Sequence, residues 1–106
     1  MSYIRDIAEQ IRRETPREML PDGDLDLLFL FYAVLAVVKG PRVEAADVHA
    51  AWGAWMARED DDHRSLVPFE ELPEEVRRQD EPFVEAVRRV AARLNNPGGT
   101  GSIGAA

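Results

Sequence analysis

Leu27 to Val38 reads LLFLFYAVLAVV, twelve residues in which the hydroxyl of Tyr32 is the only polar side-chain group. Asp22 or Asp24 ahead of the run can cap a helix, and Gly40-Pro41 behind it ends one. At about 1.5 Å per residue such a helix spans roughly 18 Å, well short of the ~30 Å core of a bilayer. It also lacks the position and charged flank of a secretory signal. A helix apolar on every side has to be surrounded by protein. The run is therefore expected to be the central rod of a small all-α bundle. In a chain of 106 residues the other helices can leave part of the rod uncovered. A homodimer through helix 25–38 is then the alternative.

The flanks supply the helices that would wrap it. Ser2 can cap a first helix whose Ile4, Ile7, Ala8 and Ile11 share one face, and Thr15-Pro16 stops it. A third helix, from about Glu44 to Arg58, carries Val48, Ala51, Trp52, Trp55 and Met56 as its stripe, with Val43 placed as a hydrophobic staple. Leu66, Val67 and Phe69 make a short extended piece, and with Leu72 they are expected to plug into the core and seat the corner on it. Pro73 then opens a helical turn, and Asp80 caps a last helix striped by Phe83, Val87, Val90, Ala91 and Leu94. Asn95 to Gly99 ends it. The expected fold is all-α: about four helices with a short extended segment before the last helical region. Residues 1–96 form one domain, followed by a small, polar tail over 97–106.

Composition narrows the function. A net charge of −7 disfavours nucleic acid and anionic membranes, which reward Lys and Arg. The acids are spread along the chain, as on an ordinary solvated surface. No Cys excludes disulfides, thiolate catalysis and cysteine-ligated zinc, and a cytoplasmic protein is expected. Twelve arginines against one lysine fit a GC-rich coding sequence, actinobacterial or from a phage of such a host.

The motifs that carry chemistry elsewhere are incomplete here. DGDLD, Asp22 to Asp26, starts like an EF-hand loop, but Leu27 and Ala33 stand where that loop needs Gly and Glu. EDDDH, Glu59 to His63, has no spacing that wraps around an ion, so no metal site is expected. His49 and His63 have no nucleophile with an orienting partner near them in sequence, and neither catalysis nor a cofactor is expected. Trp52 and Trp55 lie three apart on one helix. One is expected in the core and the other can line a groove, because two indoles on one short helix are much to bury.

DVHAAW, Asp47 to Trp52, followed by HRSLVPFEELPEEVRRQDEPFVEAVRRV, resembles the ryanodine-receptor-type repeat. His49 and Trp52 carry its first pair. His63, Leu66, Val67, Pro68, Phe69, Leu72, Pro73, Glu74, Glu75 and Asp80 carry its second segment, and the resemblance covers about Val43 to Leu94. It implies a non-enzymatic binding or adaptor domain that senses a small, nucleotide-derived ligand. The ligand would sit in a cleft edged by His49, Trp52, His63, Arg64 and Phe69. The alternative is an acidic bacterial or phage interaction factor that works through a protein partner or a homodimer.

Overall fold

The computed structural model describes residues 2–95; the tail expected over 97–106 lies outside them. Four helices of three turns or more, with no strand among the described residues, make an all-α bundle. No helix among these residues is long and apolar enough to cross a membrane.

Helix α1, Tyr3–Glu14, starts where Ser2 Oγ accepts the Ile4 N–H at 3.2 Å. It ends where Thr15 turns extended ahead of Pro16, with the buried Thr15 hydroxyl donating to the Ile11 carbonyl at 2.8 Å. Helix α2, Leu25–Val38, is capped by Asp24, whose carboxylate accepts the Leu27 N–H at 3.2 Å. Past its end Gly40 takes φ 65°, the left-handed conformation that closes a helix without a Cβ penalty. Helix α3, Ala45–Glu59, begins with the Glu44 N–H donating to Asp47 Oδ2 at 2.8 Å. A single turn, α4, Glu74–Arg77, passes through a 3-10 turn at Arg78–Asp80 into α5, Glu81–Asn95. Pro82 sits in the first turn of α5, where the missing N–H costs no helical bond.

Helix α2 is the centre, packed against α1, α3 and α5, and α5 also touches α1 and α3. Its Leu28, Phe29, Tyr32, Ala33 and Ala36 are buried, and they meet Ile7 and Ile11 of α1, Val48 and Trp55 of α3, and Phe83, Val87 and Val90 of α5 in one core. Each large apolar side chain buried here stabilises the fold by roughly 1.5–3 kcal/mol. Phe29, Tyr32 and Phe83 form its aromatic centre, with Phe29–Tyr32 edge-on at 5.4 Å and Tyr32–Phe83 at 5.6 Å. The Arg88 guanidinium donates from Nε to the Val43 carbonyl at 2.8 Å, tying α5 to the α2–α3 connection.

Three expectations need adjustment. The rod is central but not fully wrapped: Val34, Val37 and Val38 are 48%, 47% and 71% exposed. Of the corner residues, only Leu72 is buried; Leu66, Val67 and Phe69 remain half-buried, because the corner lies over the edge of α3 instead of plugging into the bundle. Asp80 does not cap α5. The chain is already helical at Arg78 and Glu81, so no open N-terminus awaits a cap there.

Candidate functional site

A cleft of about 330 Å³ opens where α3, the loop after it and the α4–α5 junction meet above the core. Its volume is in the range of small-molecule sites. His49, Trp52 and Met56 line one wall, brought to a single face of α3 by spacings of three and four. Tyr32 and Phe83 reach it from the core; Gln79 and Asp80 come from the junction, and Glu18 and Met19 from the turn after α1.

Two histidines in this wall are held by backbone. His49 Nε2 lies 2.7 Å from the Val67 carbonyl, which can only accept, so Nε2 carries a proton. His63 is the reverse: Nδ1 accepts the Ser65 N–H at 3.1 Å, which leaves Nε2 as its N–H. Trp52 stacks on His49 at 5.5 Å and meets His63 edge-on at 5.2 Å. The loop that carries His63 is held by its own backbone, through His63 N–H to the Asp60 carbonyl and Leu66 N–H to the His63 carbonyl. The wall is therefore built before any ligand arrives.

Asp80 is the electrostatic centre of the cleft. Its Oδ2 is buried and has no hydrogen-bond partner among the described residues. Burial raises its carboxyl to about 6, while the charge of a protonated His49 would pull it back down. Burial also pushes the Tyr32 phenol up, and the Asp80 charge adds to this, so Tyr32 stays neutral. Among the described residues, no Arg or Lys lines the cleft. The neighbouring Arg77 is engaged elsewhere: it donates to the Leu72 and Glu70 carbonyls at 3.0 and 2.8 Å, and its guanidinium lies 5.4 Å over the Phe69 ring.

Of the five residues expected at a ligand site, His49, Trp52 and His63 line this cleft. Arg64 does not; it is exposed and lines an adjoining surface hollow with Val67 and Leu72. Phe69 stands behind the wall, 6.2 Å from the His49 ring. Tyr32, Asp80 and Phe83 were not anticipated. The lone hydroxyl in α2 was the one available signal for Tyr32, whereas Asp80 in sequence looks like a helix cap. Trp55 is the core indole of the pair and Trp52 the groove indole. Asp60, Asp61 and Asp62 bring carboxylate oxygens within 4.8 Å of one another, and all three are exposed. No hydrogen bond joins the Ser65 hydroxyl to an imidazole among the described residues, since the His63 lone pair is taken by a backbone N–H.

The family profile described as a domain of unknown function, DUF7701, matches residues 2–92, and the chain belongs to that family. No curated protein and no solved structure matches it. The likeness to the ryanodine-receptor-type repeat is thereby corrected: the profile that fits is a different one, and it takes in α1 and α2, which the likeness left out. Two of the residues behind that likeness, Pro68 and Pro73, are turn chemistry. Pro68 precedes a 3-10 turn and Pro73 precedes α4, positions that many loop-to-helix corners fill with proline. Nor do residues 43–94 stand as a unit, because α5 packs directly on α1 and α2.

Proposed function

We propose that this DUF7701 domain is a non-enzymatic binding module that takes a small ligand in the cleft between Trp52 and Asp80. The observation that carries this reading is the buried, unpartnered Asp80 Oδ2 beside a preassembled aromatic wall. An unpaired buried acceptor costs free energy, about 1–3 kcal/mol, that a donor from a ligand would recover. Binding without chemistry is favoured because neither imidazole is paired with a nucleophile. Among nucleotide-derived compounds, a base or nucleoside suits the lining better than a phosphorylated one, because Glu18 and Asp80 would repel phosphate. Thermal-shift screening with nucleosides, nucleotides and small metabolites tests the proposal. A ligand at 100 times its Kd should add about 2.7 kcal/mol of stability, and Trp52→Ala should remove the effect. Failure of every compound to stabilise the domain would overturn it.

A second reading is favoured by the open face of α2. Leu27, Phe31, Val34 and Val38 follow one another at spacings of four, three and four, and no charge interrupts them. That is the spacing of a helix–helix seam. A second copy of this chain, crossing the first about a two-fold axis, supplies a matching apolar stripe. Light scattering behind size-exclusion chromatography tests it; a strict monomer at high concentration rules this dimer out.

A further inference from the structure

The cleft's lining is selective in sign as well as in shape. Among the described residues, two carboxylates, Asp80 and Glu18, line it, and no guanidinium or ammonium does. Arg77, three residues before Asp80 in the chain, is committed to two backbone carbonyls and to the Phe69 ring. His49 donates from Nε2 to the Val67 carbonyl, which fixes its ring in the wall. Tyr32, Trp52 and Phe83 add aromatic surface to the same space. Aromatic faces attract cations through their ring quadrupoles, most strongly where water is excluded. A buried carboxylate oxygen without a partner calls for a donor, and a positively charged donor makes the stronger bond.

We infer that the ligand of this cleft is a small organic ammonium ion, a primary or secondary amine on an apolar or aromatic stem. Its N–H donates to the Asp80 carboxylate that lines the cleft, while Tyr32, Trp52 and Phe83 enclose the stem. The assignment rests on the binding-module reading and specifies its ligand. An alcohol of the same shape satisfies that carboxylate with a weaker, neutral bond. A carboxylate or phosphate of similar size meets like charge from Asp80 and Glu18. A quaternary ammonium keeps the attraction to the rings but has no proton for the carboxylate. Affinity should therefore run from amine through alcohol to acid.

Isothermal titration of the full chain at pH 7 with 2-phenylethylamine, 2-phenylethanol, phenylacetate and adenosine decides the matter. The amine is expected to bind at least about tenfold more tightly than the alcohol, a difference of ~1.4 kcal/mol, with phenylacetate weakest. Asp80→Asn is expected to erase the preference for the amine over the alcohol while keeping helical circular dichroism. Should that variant not fold, the amine-to-alcohol ratio in the unaltered chain decides alone. Equal affinity for amine and alcohol, or binding of adenosine alone, overturns the ammonium assignment and leaves the cleft as a binding site. Binding of none of the four overturns the ammonium assignment, and the wider screen then decides the cleft itself.

Discussion

The Trp55 indole N–H donates to the Asp24 carbonyl at 2.8 Å, so the core side chain of α3 holds the residue that caps α2. The same indole lies over Gly23, whose φ of 121° is one that L side chains rarely adopt. A Cβ at this position would stand 2.7 Å from the Trp55 ring, which is fully buried and cannot swing away. Gly23→Ala should therefore cost about 1–3 kcal/mol through backbone strain, with the clash adding to it. Urea unfolding measures the loss; an unchanged midpoint would refute the arrangement.

His49 holds the corner to α3 through its 2.7 Å contact with the Val67 carbonyl. His49→Phe preserves a ring against Trp52 and deletes the donor. The partly buried carbonyl then loses its partner, at a cost of about 1–2 kcal/mol. Faster amide exchange around Leu66 to Phe69, with little change in α1, would mark the corner as the part released.

Asp80 has a pH signature of definite sign. Folding raises its carboxyl from an ordinary 3.8 to about 6, so between those values the folded protein keeps a proton that the unfolded chain has lost. Its contribution to stability is then greatest below the lower value and is lost as pH rises through the upper one. The titratable groups that line the cleft with it are Glu18 from the turn after α1, Tyr32 from α2, His49 from α3 and His63 from the loop. Asp80→Asn removes the titration. Its stability relative to the parent should improve between pH 4 and pH 7, and a difference that does not vary with pH would exclude the effect.

Val34→Glu places a charge in the open face of α2 without touching the core, since Val34 is half exposed. In a monomer the change should be worth less than about 0.5 kcal/mol, as for most surface substitutions. In a dimer joined through this face it should drive dissociation, seen as a halved mass in light scattering.

Much of the bundle is legible in the sequence because local chemistry sets it. Ser2 and Thr15-Pro16 bound α1, Asp24 and Gly40 bound α2, and the 3–4 spacing of Val87, Val90, Ala91 and Leu94 marks α5. The cleft was half legible. His49 and Trp52 share a helix face, and their pairing follows from spacing alone. Asp80 and Tyr32 are 48 positions apart, and no local rule joins them. The likeness to another repeat misled for the same reason, since short proline-bounded corners look alike in unrelated domains.

By itself, then, the sequence determined that this chain folds as helices around an apolar rod, because caps, breakers and periodicity act over a few residues. Only the tertiary structure decided which face of the rod stays open and which acid lacks a partner. Both depend on how α1, α3 and α5 divide the limited surface of α2, a competition between distant segments that local pattern does not record.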